Sequence, residues 1–86
     1  MDMGQASARA AHTGEMNIMD SSGHQQLKWN TGKAEDIRIA KEAFDKLLAS
    51  GYTAFASEHK AEAKHLIREF DPTMEELVMV PRNVGG

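Results

Sequence analysis

Apolar and polar residues alternate in two short segments in the first third of the chain, and this pattern predicts a β-hairpin. In residues 25–30 the side chains of Leu27 and Trp29 share one face and polar side chains occupy the other, as in a half-buried strand. Residues 16–19 form a second apolar segment with a less regular alternation. Residues 20–23 between them are a turn-rich cluster with a glycine, which adopts a positive φ readily. We therefore predict that the two segments pair around this turn.

Residues 33–50 carry the periodicity of an amphipathic helix. Asn30 or Thr31 is predicted to cap its first turn, and Gly51 stands where a left-handed residue ends a helix. A helix with one apolar stripe buries that stripe against a neighbouring layer, and we expect this helix to cover a sheet. The stripe consists of Ile37, Ala40, Phe44, Leu47 and Leu48.

Three further segments favour strands. Tyr52 to Ala56 is short and rich in β-favouring residues. Residues 65–70 fit either a strand or a short helix that ends at Asp71, because the Ala, Glu, Lys and Arg around them favour helices. Asp71 and the proline after it are typical of a turn, and the apolar residues at 76–80 need an antiparallel neighbour. We predict a hairpin of His65–Phe70 with Glu76–Val80 and keep the helix as the alternative.

These elements predict an α+β domain in which one small sheet of four to five mostly antiparallel strands is covered by a single long helix. Residues 1–14 are small and polar without apolar periodicity, and they are predicted to be a disordered N-terminal tail or an expression remnant. Residues 15–80 are predicted to form the single domain, and residues 81–86 are predicted to form a flexible C-terminal tail. In so small a protein the large apolar side chains are expected to form the core rather than an exposed face, namely Trp29, Tyr52, Met74 and Met79.

Composition excludes several classes of protein. The 86 residues suffice for one small domain, and the absence of cysteine excludes disulfides and thiolate zinc sites. Ten basic and thirteen acidic residues are intermixed, with no basic stripe of the kind that follows a phosphate backbone, so we expect no nucleic-acid partner. No apolar run approaches the ~20 residues that span a bilayer. The first residues lack the pattern of a secretory signal, and we expect a cytoplasmic protein.

The side chains do not predict catalysis. The histidines, at positions 12, 24, 59 and 65, show none of the compact spacings of metal ligands. No serine lies in a Gly-x-Ser-x-Gly elbow, and no glycine-rich phosphate loop is present. We therefore expect no cofactor, no metal and no enzymatic activity.

The end of the sequence carries a further pattern. Gly85 and Gly86 follow a short tail after the last predicted strand, and Arg82 stands four residues before the final glycine. This tail on a small α+β domain resembles that of ubiquitin-like modifiers, whose β-grasp fold is a sheet of hairpin, helix and further strands. The resemblance implies that Gly86 is the conjugated residue, Gly85 its steric companion and Arg82 a contact for an activating enzyme, since glycine has no side chain to obstruct the terminal carboxylate. Pro81 and Val84 depart from the ubiquitin tail, which has a second arginine at the latter position.

From the residues alone we expect a small non-enzymatic module for protein–protein interaction. Its edge strand, at Leu27 or Tyr52, is predicted to accept a strand of the partner by β-augmentation. The resemblance gives the alternative of a ubiquitin-like modifier or carrier that acts through Gly85-Gly86, with an activating enzyme as its partner. A small metal-binding enzyme is the least favoured hypothesis.

Overall fold

The computed structural model describes residues 12–20 and 23–81. In this part of the chain, one mixed five-stranded sheet is covered by one helix, which is an α+β architecture as predicted. The elements, in chain order, are β1 (Thr13–Asp20), β2 (Gly23–Asn30), α1 (Ala34–Ala49), β3 (Thr53–Ser57), β4 (His65–Ile67) and β5 (Glu76–Val80).

The predicted N-terminal hairpin is confirmed. β1 and β2 pair in antiparallel fashion with Met16 opposite Leu27, and Gly23 has the positive φ, 133°, that the glycine in the turn cluster indicated. β1 begins at Thr13, so Thr13 and Gly14, which the sequence pattern placed in the N-terminal tail, belong to the sheet. Residues 1–11 of that predicted tail lie outside the described residues.

The predicted hairpin of residues 65–70 with residues 76–80 is wrong. The strand order is β2-β1-β5-β3-β4, so β5 lies between β1, to which it is parallel, and β3, to which it is antiparallel. β4 has only three residues and pairs with β3 at the edge of the sheet. Leu77 and Met79 of β5 are fully buried, and a central position pairs the backbone of this strand on both sides.

Residues 68–70 follow β4 outside any strand, and the half-buried Phe70 packs against the core. Its ring lies edge-on against Trp29 with 5.1 Å between centroids, and 5.8 Å from the ring of Phe44. The indole Nε1–H of Trp29 donates a hydrogen bond to the carbonyl oxygen of Pro72 at 3.1 Å. The turn that begins at Asp71 is therefore held to β2 by an aromatic contact and a hydrogen bond, rather than by a β-hairpin.

The helix begins and ends close to the predicted positions, but its predicted cap is wrong. Lys33 is the N-cap and makes no side-chain capping bond. The two predicted caps bind elsewhere, since Asn30 Oδ1 accepts the N–H of Gly32 at 2.7 Å and Thr31 Oγ1 accepts the N–H of His12 at 2.7 Å. At the other end Gly51 has φ 101°, as its position after the helix predicts.

The core lies between α1 and the face of the sheet that the helix covers. Its buried apolar residues are Met16, Trp29, Ala40, Phe44, Ala54, Ala56, Met74, Leu77 and Met79. Three of the four residues predicted to be core are in this set, whereas Tyr52 is half-buried at its margin. The described residues contain no helix with the length and hydropathy needed to cross a membrane.

Candidate functional site

The residues that the ubiquitin-like resemblance singled out, Arg82, Gly85 and Gly86, lie outside the described residues. The structure does define where the chain leaves the sheet. Val80 is the last residue of β5 and lies opposite Thr53, the first residue of β3. The C-terminal segment therefore starts at the end of a central strand.

The face of the sheet opposite α1, here named the open face, carries a group of apolar side chains. Because successive side chains alternate between faces, residues one position from the buried core residues point to the open face. Three of these side chains are well exposed, with Leu66 at 48%, Met19 at 37% and Val80 at 37% of their full accessible area. Phe55 lies directly across from both Leu66 and Val78, and both Phe55 and Val78 are half-buried. We name Met19, Phe55, Leu66, Val78 and Val80 the apolar patch.

The other half of the open face is polar and centres on Asn17, which is 9% exposed. Its side-chain amide donates to Glu15 Oε2 at 3.3 Å and to Glu76 Oε2 at 3.1 Å. Gln26 donates its own amide hydrogen to Asn17 Oδ1 at 2.9 Å. One amide thus links two carboxylates, which are neighbours on the parallel strands β1 and β5.

Two lysines from the segment between β3 and β4 pair with the same carboxylates. Lys60 Nζ lies 3.3 Å from Glu15 Oε1, and Lys64 Nζ lies 2.9 Å from Glu76 Oε1. Burial raises the pKa of the Glu15 carboxyl, but the hydrogen bonds from Asn17 and Lys60 and the nearby lysine charges outweigh it and hold that pKa below its usual value. Because each carboxylate has a cation and the shared amide, the polar half is a structural network.

The histidines do not assemble a metal centre in the described part of the chain. His24 lies on β2, His65 on β4, and the Nδ1 atom of His59 lies 3.9 Å from Glu75 Oε1. Among residues 12–20 and 23–81, no three or more His, Asp or Glu side chains are placed so that they hold one ion.

A shallow groove of ≈ 240 Å³ runs beside the apolar patch, between the end of α1 and β4. Its lining includes Leu48, Tyr52, Leu66 and Arg68, so it combines apolar side chains with one cation. The polar side-chain groups of its lining are the phenol of Tyr52, the hydroxyl of Thr53 and the guanidinium of Arg68. The groove extends the apolar surface toward β4.

The structure corrects one of the two predicted edges of the sheet. Tyr52 precedes β3, which is an inner strand between β5 and β4, so the predicted edge at Tyr52 is wrong. Leu27 lies on β2, which is an outer strand, in agreement with the second predicted edge. The apolar patch was not predicted from the sequence. The alternation of Val78 and Val80 in the last strand was the sequence pattern that could have indicated it. This pattern predicts exposed side chains only when it is known which face of the sheet the helix covers.

Neither protein-family models, nor the curated proteins, nor the solved structures contain a match to this chain.

Proposed function

We propose that this chain is a small non-enzymatic module for protein–protein interaction, and that its main binding surface is the apolar patch. The observation that supports this function is the exposure of Leu66, Met19 and Val80 on the open face, where Leu66 is connected to Val80 through Phe55 and Val78. Exposed apolar side chains that lie together on a small protein favour contact with a partner, because burial removes them from water.

The arrangement of the patch suits a partner with an apolar surface of its own. Val78 and Phe55 belong to the inner strands β5 and β3, whose backbones pair on both sides, so the centre of the patch is held by the sheet. The polar network around Asn17 borders the patch and supplies charged and amide groups. An apolar centre with a polar rim is the usual composition of a protein interface.

Matched substitutions on the two exposed surfaces test this function. Leu66→Asp alters the patch, and Ile39→Asp alters a comparably exposed apolar side chain, 44% against 48%, on the outer face of α1. Partners are captured from the native host by cross-linking to the unaltered chain, and one is then purified. We expect Leu66→Asp to weaken its binding about tenfold or more, because burial of one leucine contributes roughly 1.5–3 kcal/mol.

Ile39→Asp is expected to leave that affinity unchanged. Thermal unfolding of both variants shows whether they remain folded, and Val80→Asp provides a second alteration of the patch. Equal binding by the unaltered chain and by both patch variants would show that the patch is not the binding surface.

A second candidate function, a ubiquitin-like modifier or carrier acting through Gly86, is favoured by the order of the elements. A hairpin, then a helix, then further strands in one sheet is the order of the β-grasp fold, and we propose that fold for this chain. Arg82, Gly85 and Gly86 follow β5 in the sequence, after Pro81. In this function an activating enzyme acts on the carboxylate of Gly86, and Arg82 contacts that enzyme.

Mass spectrometry and a denaturing capture test the second candidate. The mass of the protein purified from its host shows whether the mature chain ends at Gly86. The intact chain and a chain without Gly85-Gly86 are then captured from host lysate under denaturing washes. We expect heavier, denaturation-resistant species with the intact chain alone. Identical profiles, or a mature chain that ends elsewhere, would exclude conjugation through Gly86.

A further inference from the structure

The outer edge of β2 carries a short row of backbone groups without partners in the described part of the chain. The N–H of Thr31 donates to the carbonyl oxygen of His12 at 2.8 Å, which places these residues in a hydrogen-bonded pair of the β1–β2 ladder. Hydrogen-bonded pairs recur at every second residue along antiparallel strands. The odd-numbered residues of β2 therefore direct their N–H and C=O groups to β1. His24, Gln26 and Lys28 direct theirs away from the sheet.

A side chain of the helix marks one end of this row. The N–H of Asn30, which also points outward, donates to Asp36 Oδ2 at 3.1 Å, and the carbonyl oxygen of Asn30 accepts the N–H of Lys33 at 2.9 Å. Gly23, with its positive φ, is at the other end of β2. The free edge therefore consists of His24, Gln26 and Lys28, each of which offers one backbone N–H donor and one C=O acceptor. A strand laid antiparallel to it forms up to six backbone hydrogen bonds.

We propose that this free edge binds an extended acidic segment of another protein as an additional antiparallel strand. The side chains that flank the added strand on the open face are those of His24, Gln26 and Lys28, because alternate residues share a face. Lys28 is exposed and already lies across from Glu15 on β1. An acidic residue opposite Lys28 on the outer side gives the ammonium group a second carboxylate, which is a favourable cross-strand pair.

A second copy of this chain is a poorer occupant of the edge. The antiparallel pairing that uses all three free residues puts Gln26 opposite Gln26 of the second copy. It also puts His24 opposite Lys28 at both ends, with no acidic side chain facing either lysine across the new interface. The binding site therefore favours a segment with acidic residues opposite Lys28 and His24, a polar residue opposite Gln26, and apolar residues between them that pack beside Leu27.

One residue of the apolar patch, Met19, lies across from His24 at one end of the edge, and the other four patch residues lie on β3, β4 and β5. Lys28 lies on the outer strand β2, whereas Leu66 and Phe55 lie on β4 and β3, at the opposite side of the sheet. Substitutions in the two surfaces therefore distinguish binding at the edge from binding at the patch.

Backbone-blocked peptides test the proposal directly. The probe is a fluorescent peptide with the core sequence glutamate, valine, threonine, valine, glutamate, and its binding to the full chain is measured by anisotropy. N-methylation of the threonine removes the donor that faces Gln26 and places a methyl group in the ladder. N-methylation of the first valine alters a nitrogen that points away from β2. We expect the threonine-methylated peptide to lose at least tenfold in affinity and the valine-methylated peptide to retain the affinity of the unmodified one.

Charge reversal tests the acidic preference. Lys28→Glu is expected to lower the affinity for the acidic peptide roughly two- to fivefold or more, since one exposed ion pair contributes about that factor. The same variant should bind a peptide with lysines in place of the glutamates better than the unaltered chain does. Leu66→Asp serves as the control on the other surface and should leave peptide binding unchanged.

Equal binding of the two N-methylated peptides would overturn the proposal, and so would loss of binding in Leu66→Asp alone. Absence of binding at millimolar peptide would overturn it as well. Analytical sedimentation of the chain without peptide tests whether a second copy of the chain occupies the edge. A dimer that Lys28→Glu strengthens would make a second copy the occupant and contradict the assignment to an acidic partner, whereas a monomer agrees with it.

Discussion

Gly14 is a residue whose role is apparent only from its neighbour across the hairpin. It lies opposite Trp29, and a Cβ atom built at Gly14 would lie far inside van der Waals contact with the indole ring. The indole is 1% exposed and anchored to Pro72, so it has no space into which to move. The absence of a side chain at Gly14 is therefore what allows the largest side chain of the core to pack against β1.

The first prediction concerns this contact. Gly14→Ala is expected to lower the free energy of unfolding by about 1–3 kcal/mol, the usual cost of overpacking a tightly packed site. Chemical denaturation followed by tryptophan fluorescence measures the change. Thr13→Ala, at the exposed preceding position, is the matched control and is expected to change stability by less than about 0.5 kcal/mol. Equal stabilities of Gly14→Ala and the unaltered chain would show that Trp29 adjusts freely.

The second prediction concerns the pH dependence contributed by Glu15. The pKa of this carboxyl is lowered in the folded state, so its ionised form stabilises the fold at pH values above the unfolded-state pKa. That stabilisation is lost as pH falls through the folded-state pKa. Glu15→Gln is expected to reduce stability at pH 7 and to flatten its decline in acid. Urea denaturation between pH 7 and pH 2 measures this, with Glu58→Gln, at an exposed position, as the control.

A larger loss of stability in Glu15→Gln at low pH than at pH 7 would contradict this assignment. The neutral glutamine retains an amide oxygen for Asn17, so the variant removes the charge and leaves much of the network. The comparison therefore reports on the carboxylate itself rather than on the loss of all its hydrogen bonds.

At the scale of the elements, the distinctive feature is the position of β5. The last strand in the chain inserts between the first and the third, so the sheet closes only when residues far apart in sequence meet. The outer strands have different environments. β4 is three residues long, whereas β2 has eight residues and an edge that Asp36 covers only at Asn30.

The third prediction tests the hydrogen-bond alternation of β2 without any ligand. Amide exchange is expected to be slow at Leu27 and Trp29, whose N–H groups point to β1, and fast at Gln26 and Lys28, whose N–H groups point outward. Asn30 should be protected by its bond to Asp36. Hydrogen exchange followed by NMR measures these rates. In the variant Asp36→Ala, the amide of Asn30 should exchange faster while the amide of Leu27 still exchanges slowly. Fast exchange at Leu27 and Trp29 with slow exchange at Gln26 and Lys28 would instead shift the proposed binding edge by one residue.

At the scale of the whole molecule, one helix and one sheet leave two surfaces with different chemistry. Four residues of the apolar patch lie on β3, β4 and β5 and the fifth, Met19, lies on β1, whereas the free backbone edge lies on β2. The polar network around Asn17 occupies the open face between them. Lys28 and Leu66, which lie on the two outer strands, can therefore contact two partners or two parts of one partner.

Local patterns were sufficient to predict the helix, the N-terminal hairpin and the strand character of the remaining segments. The apolar stripe of residues 37–48, the alternation at Leu27 and Trp29, and the glycines at 23 and 51 are properties of short stretches of chain, and the structure confirms them. The helix cap could not be predicted, because Asn30 and Thr31 bind the neighbouring backbone and leave Lys33 at the cap position.

The sequence by itself thus determined the α+β class and most elements, because these depend on the period of the hydrophobic pattern and on local backbone preferences. Only the tertiary structure decided that β5 is central, that residues 68–70 lie outside the strands with Phe70 against the core, and that β2 rather than the segment at Tyr52 provides a free edge. It also decided which apolar side chains stay exposed. These features depend on which strands pair and which face the helix covers, and such contacts between distant residues leave no periodic signal in the chain.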